Sequence, residues 1–146
     1  MNYSKNGLHL TENFEGLRLT AYPDPATHGD PWTIGYGSTK GVHQGMVITQ
    51  EQAEQRLMDD VQSACDVVNS KVHTDLTQNE FDALVDFVFN VGAGNFAGST
   101  LLKKINAGDM EEAALEFQKW DKAAGHVMAG LVRRRQAETD LFKGLA

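Results

Sequence analysis

Cysteine is nearly absent: Cys65 is the only one among 146 residues. An intrachain disulfide is therefore excluded, and the apolar neighbours of Cys65 in a helical pattern suit a small buried hydrophobe better than a reactive thiol. A single cysteine fits folding in a reducing cytoplasm. Long hydrophobic runs are also missing. No stretch approaches transmembrane length, and the opening Met-Asn-Tyr-Ser-Lys-Asn-Gly has no apolar signal-peptide core, so neither membrane insertion nor signal-directed export is expected. Positive charge is scarce: 13 Lys and Arg stand against 20 Asp and Glu, a net charge of −7. That balance excludes nucleic acid as an expected partner and gives no steering towards an anionic cell wall. There are no repeats or low-complexity tracts.

What is present is ordinary for a soluble domain: 41% hydrophobic and 23% charged residues, in a chain long enough to bury a core without staples. Ser4 is placed to cap a first helix running to about Glu15, with Gly16 as its stop. The texture then changes. All three prolines (Pro23, Pro25, Pro31) and five of the 14 glycines fall between residues 17 and 45, among Leu17, Leu19, Tyr22, Trp32, Ile34 and Tyr36. Short aromatic and branched runs between turn signals predict a small antiparallel sheet, with Met46 to Ile48 as a third short strand.

Helices follow. Thr49-Gln-Glu-Gln and Thr77-Gln-Asn-Glu80 are capping boxes. The first precedes an apolar stripe of Ala53, Leu57, Val61, Ala64, Cys65 and Val68. The second precedes Phe81, Ala83, Leu84, Val85, Phe87, Val88, Phe89 and Val91, apolar nearly all round and so expected at the centre of the core. Further helices are predicted near Ser99 to Asn106, after Asp109, and from about Gly130 to Phe142. The fold class is thus α+β, one domain over 1–146. A β-containing lobe at about 16–60 is inserted after the first helix, and 1–15 with 61–146 form a larger helical lobe. An extended substrate is expected in the cleft between them.

Hydrolysis of a glycosidic bond needs two carboxyl groups in different environments, one donating a proton and one orienting water or attacking carbon. Glu15 ends the first helix and Asp24 sits in the Tyr22-Pro23-Asp24-Pro25 turn, both expected on the wall between the lobes. Thr33 is expected on the facing strand, where a hydroxyl that donates and accepts can position water. Spacing alone does not single this pair out from the other acidic residues. None of the five histidines is at metal-ligand spacing, so no metal and no cofactor is expected. The C-terminal Lys119, Lys122, Arg133, Arg134, Arg135 and Lys143 outnumber Asp121, Glu138 and Asp140. Three consecutive arginines on a helix point in different directions, so most of them are expected in solvent.

The motifs together add a resemblance. Glu15-Gly16-Leu17-Arg18-Leu19, Ala21-Tyr22-Pro23-Asp24 and Trp32-Thr33-Ile34-Gly35-Tyr36-Gly37 look like the active-site signature of glycoside hydrolase family 24, the phage-type lysozymes. Phe89-Asn90-Val91-Gly92, Ser99-Thr100-Leu101-Leu102-Lys103-Lys104 and Gly130-Leu131-Val132-Arg133-Arg134-Arg135-Gln136-Ala137-Glu138 resemble its later blocks, in the family's order. The resemblance implies a lysozyme-like fold and a muramidase cleaving the β-1,4 bond between N-acetylmuramic acid and N-acetylglucosamine in peptidoglycan. It makes Glu15 the general acid, Asp24 the second carboxylate and Thr33 the water-positioning hydroxyl, with inversion at the anomeric carbon. Phe89, Asn90 and Gly35 become saccharide-binding positions, although a core aromatic is an equal reading of Phe89. The arginine run could supply a partner for Glu15.

Two features depart from the family: the Asp24–Thr33 separation is longer than usual, and Ser38 follows Gly-Tyr-Gly where many relatives have histidine. The resemblance further implies an endolysin held in the host cytoplasm as a monomer, released by a separate holin and acting on glycan strands in the periplasm. The rivals are a lytic transglycosylase or chitinase, and a peptidoglycan-binding module without activity.

Overall fold

A computed structural model of the chain describes residues 1–145. It is α+β: helices α1 (Lys5–Glu15), α2 (Gln50–Lys71), α3 (Gln78–Val91), α4 (Ala93–Ala97), α5 (Thr100–Asn106), α6 (Met110–Glu116) and α7 (Ala129–Phe142) accompany two short antiparallel pairs, β1 (Arg18–Tyr22) with β2 (Thr33–Gly35), and β3 (Lys122–Ala123) with β4 (His126–Val127). The chain divides into two compact units, one of Thr11–Gln62 and one of Met1–Leu10 with the chain from Ser63 on.

In the Thr11–Gln62 unit the sheet is small and irregular. Arg18 pairs with Gly35 and Tyr22 with Thr33, so β1 carries extra residues and bulges between its two pairs. The expected third strand is reduced to a single bridge, Thr20 to Val47, held by Ala21 N–H to Met46 O and Ile48 N–H to Leu19 O at 2.9 Å each. The short run Met46–Ile48 between Gly45 and the helix cap leaves no length for more. The predicted cap at Thr49 is formed: Gln52 N–H donates to Thr49 Oγ1 and Gln52 Oε1 accepts from Thr49 N–H. Ile34, Tyr36 and Ile48 are buried along with Ala53, Leu57 and Val61 of α2.

The other unit is built around α3. Its capping box at Thr77 and Glu80 is complete, and every residue from Phe81 to Val88 is buried. The apolar members follow the sequence expectation. Phe87 is met edge-on by Phe96, Phe117 and Trp120, and Phe117 by Phe142, contacts worth about 0.5–1.5 kcal/mol each beyond burial. Two elements were not expected: α4, a single turn after Gly92, and the β3–β4 hairpin, whose residues are exposed. Both are too short for a periodic pattern to register.

Burial of α3 also encloses charges. Asp82 accepts from Ser4 N–H, from Ser4 Oγ and from Gln78 Nε2, while Ser4 Oγ accepts from Gly7 N–H and caps α1 as expected. Asp86 is fully buried and grips Arg134 of α7 through both carboxylate oxygens, at 3.0 Å from Nε and 2.8 Å from Nη2. Beside them Arg135 Nη1 meets Glu138 Oε1 at 2.5 Å, both side chains fully buried. The expectation that most of the arginine run is solvated is therefore corrected: Arg133 is exposed, whereas Arg134 and Arg135 are buried. Acidic partners on α3 and α7 meet these two guanidiniums, and no sequence pattern pairs residues 48 positions apart.

Glu138 Oε2 is buried with no donor reaching it. The Asp86 carboxylate is its acidic neighbour, and two carboxyl groups placed together in the interior do not readily both ionise. Burial first, and Asp86 second, push the Glu138 carboxyl well above the usual carboxylate range against the pull of Arg135 and Arg134. Folded Glu138 thus keeps its proton above the pH, about 4.3, at which the unfolded chain releases it. The folded state binds the extra proton, so this group makes stability fall as pH rises through that window. Glu138→Gln keeps an acceptor for Arg135, offers Asp86 a donor and has no proton to lose. Its melting temperature relative to the parent should rise progressively from pH 4 to pH 7; a difference constant across that range would assign the proton elsewhere. At the other end of α3, Thr77→Ala should cost about 1 kcal/mol, read as a lower denaturant midpoint at unchanged slope.

Candidate active site

Four of the sequence-predicted site residues, Glu15, Asp24, Thr33 and Gly35, lie in the Thr11–Gln62 unit. Glu15 is the last residue of α1, which stops because Gly16 takes a positive φ of 72°. The side chain is half-buried. Its neighbour is set by the turn after β2. Ile34 and Ser38 exchange both backbone hydrogen bonds at 2.9 Å, which closes Gly35-Tyr36-Gly37 into a tight loop. Gly35 and Gly37 both take positive φ, 66° and 87°, a conformation that side chains with a Cβ rarely adopt. Space adds a second demand. A Cβ on Gly35 would stand 3.3 Å from Ala53 Cβ, and one on Gly37 would stand 3.3 Å from Glu15 Oε1. The loop therefore brings bare backbone against the Glu15 carboxyl.

Tyr36 between the two glycines is buried, and burial first, then Glu12 and Glu54, raise its phenol above the ordinary value. Ser38, next after Gly37, is buried; Arg56 Nη1 donates to its Oγ at 3.4 Å and to Lys40 O at 2.9 Å. The same hydroxyl bonds Asp60, whose carboxyl is raised by burial and lowered in turn by Ser38 and Arg56. A neutral hydroxyl thus links two α2 side chains.

Asp24 follows β1 by two residues, and Tyr22 of β1 faces Thr33 of β2, so Asp24 and Thr33 lie at the same end of the strand pair. Asp24 organises the loop after it. Its Oδ1 accepts from Ala26 N–H at 2.8 Å and Thr27 N–H at 3.2 Å, its own N–H donates to Gly29 O at 3.0 Å, and its carbonyl accepts from His28 N–H at 2.8 Å. Thr27 Oγ1 donates to Asp30 O and accepts from Gly29 N–H. The extra length between Asp24 and Thr33 is taken up inside this self-bonded loop, and the Tyr22–Thr33 pairing at its base is kept. Oδ2 has no hydrogen bond to the described residues. Thr33 Oγ1 makes only a long contact, 3.5 Å, to Pro31 O, and is half-buried. The two groups that could hold a water are thus oriented and largely unspent.

Phe89 and Asn90 close α3 in the other unit. Phe89 is half-buried, outside the fully buried run that ends at Val88, and Asn90 is exposed. The Asn90 carboxamide oxygen accepts from Arg135 Nη2. Arg135 was not singled out from the sequence. The only local sign of it is Glu138 three residues on, which is also an ordinary spacing of a solvated helix pair. Among the described residues no group of three or more His, Cys, Asp or Glu could hold a metal ion.

A sequence model of the family described as phage lysozyme matches residues 12–138. An endolysin of Acyrthosiphon pisum secondary endosymbiont phage 1 is 46% identical over 98% of this chain and 99% of its own length. An endolysin of Bacillus phage B103 is 48% identical over 97% of this chain, which spans only 54% of that protein. A crystal structure of a P22 lysozyme mutant superposes with a TM-score of 0.90 at 37% identity, covering 98% of this chain and 99% of that one. More distant relatives include a SAR-endolysin of bacteriophage PS119, 35% identical over 89% of this chain and 77% of its own length. The chain belongs to the phage lysozyme family and is a lysozyme-type glycoside hydrolase.

Proposed function

We propose that this chain is an endolysin muramidase that hydrolyses the β-1,4 bond between N-acetylmuramic acid and N-acetylglucosamine with inversion, leading to lysis of the host cell. The observation that carries the site assignment is the state of three side chains in one unit. Glu15 stands against the bare backbone of Gly37, and Asp24 and Thr33 share one end of the β1–β2 pair with Asp24 Oδ2 and the Thr33 hydroxyl available. In this reading Glu15 donates its proton to the leaving glycosidic oxygen. Asp24 accepts a proton from the attacking water, which the Thr33 hydroxyl orients. Inversion requires room for that water, a carboxyl separation of about 6.5–9.5 Å, whereas a retaining nucleophile stands about 5–5.5 Å from the acid. Phe89, Asn90 and, through its backbone, Gly35 are the glycan-binding positions of this reading.

Glu15→Gln keeps size and loses the acidic proton, so clearance of peptidoglycan should fall by roughly 10²–10⁴-fold with the melting temperature held. Near-parental clearance would end the assignment. Asp24→Asn and Thr33→Ala should each slow the reaction without loss of folded protein. Proton NMR of a fresh digest should show the α-anomer first; a β-anomer would make Asp24 a nucleophile. Mass spectrometry of the same digest should show reducing muramic ends, where a lytic transglycosylase would leave anhydro ends.

Among the described residues no helix is long and apolar enough to cross a membrane. Release by a separate holin, from the host cytoplasm to the periplasm, and action as a monomer complete the reading. The SAR-endolysin relatives favour a second route, release without a holin. Expression of the chain alone in a Gram-negative host should leave cells intact until the inner membrane is breached. Lysis on induction without a holin would select the second route.

A further inference from the structure

Arg135 is the largest fully buried side chain of the protein, and all its guanidinium nitrogens are engaged on different elements. Nε donates to the Trp120 carbonyl at 3.0 Å, Nη1 to Glu138 Oε1 at 2.5 Å, and Nη2 to the carboxamide oxygen of Asn90. Its carbon lies 5.0 Å from the centre of the Phe87 ring, and the Trp120 ring packs edge-on against the same ring at 5.7 Å. A guanidinium only donates. Contact with it therefore decides which way the Asn90 carboxamide faces: oxygen inward to Arg135, NH2 outward. Asn90 is exposed, and its Nδ2 has no hydrogen bond to the described residues. A free asparagine amide must be oriented and held before it can bond a ligand, and this one is already held with only its donor edge outward.

We propose that Arg135 is a positioning residue for glycan binding, which locks Asn90 as a hydrogen-bond donor to the acetamido carbonyl oxygen of a bound N-acetyl sugar. The inference rests on the saccharide-binding role given above to Asn90. The acetamido carbonyl is the strongest neutral acceptor on an N-acetylated glycan strand, and an outward amide NH2 is its complement. The rigid mount gives the donor its value. Arg135 is fixed by Trp120, Phe87 and Glu138 before the sugar arrives, so orienting the amide costs nothing at the moment of binding. The effect belongs to binding, and the chemistry at Glu15 and Asp24 is untouched by it.

The test follows the amide itself. The Asn90 Nδ2 protons of the 15N-labelled Glu15→Gln protein should shift on titration with chitotetraose, and stay in place with the de-N-acetylated glucosamine tetramer. Removing Arg135 alone would leave the buried Glu138 carboxyl without its donor and endanger folding, so the informative variant is Arg135→Met with Glu138→Leu, which removes the guanidinium and its carboxyl partner together. If folded by melting temperature and dispersed NMR spectrum, it should bind chitotetraose about tenfold more weakly, the worth of one good hydrogen bond. In the Glu15 background it should raise KM on solubilised peptidoglycan by a similar factor, with kcat within about twofold. If it does not fold, Arg135→Lys with Glu138 retained serves instead: it keeps the charge, loses the fork, and should show the same weakening. Asn90→Ala should match the double variant, and the combination should be no worse than either, as coupled positions require.

Parental affinity in the folded variant, additive losses with Asn90→Ala, or an Asn90 amide that ignores chitotetraose would each overturn the proposal. A shift with the de-N-acetylated tetramer would overturn the acetamido assignment. These readouts do not depend on turnover. Lytic Glu15→Gln protein would defeat the mechanism above and leave the Asn90 result standing.

Discussion

Burial of α3 on every side is the constraint from which the unit containing it follows. A helix with no solvent-facing stripe must be covered all round, and each polar group it takes inside must find a partner there. Asp82 is met by Ser4 and Gln78, which ties the start of the chain to α3 and fixes the point where α1 begins. Asp86 is met by the Arg134 fork, which fixes the rotation of α7 about its axis. Arg135, the next residue of α7, is buried as well and meets Glu138 about one helical turn on. Removing a single partner would leave a charge without compensation in the interior, typically a loss of about 3–5 kcal/mol. The buried ions therefore specify one arrangement of α3 and α7, where apolar packing alone would tolerate several rotations.

The Thr11–Gln62 unit is organised on a different principle. Its apolar set is small, and its order comes largely from closed backbone loops. Asp24 gathers three backbone donors and one backbone acceptor around itself, and Ile34 and Ser38 close the glycine loop. Groups that would perform the chemistry are held by short-range hydrogen bonds, which fix direction sharply without filling the space that a substrate needs. Gly37 illustrates the economy: it provides a turn that other residues would strain, and it keeps a side chain away from Glu15. Ser38 joins this unit's order to α2, its hydroxyl standing between the Arg56 guanidinium and the Asp60 carboxyl.

Position by position, the sequence determined what depends on near neighbours in the chain. Ser4, Thr49, Thr77, Ser99 and Asp109 announce helix starts because a cap bonds only three residues ahead, and Phe81 to Val91 announce a central helix because apolarity around the whole circumference has one stable location. Glu15, Asp24 and Thr33 are proposed from motifs in which turn chemistry and functional groups are interleaved. Only the tertiary structure decided the rest. It turned Arg134 and Arg135 inward to Asp86, Glu138, Asn90 and the Trp120 carbonyl, it made Glu138 a buried acid that keeps its proton, and it faced the Asn90 amide outward as a donor. The physical reason is common to all of these. A charge on a helix reads the same in sequence whether water or a distant carboxylate satisfies it, and which of the two it meets is settled only when the elements pack.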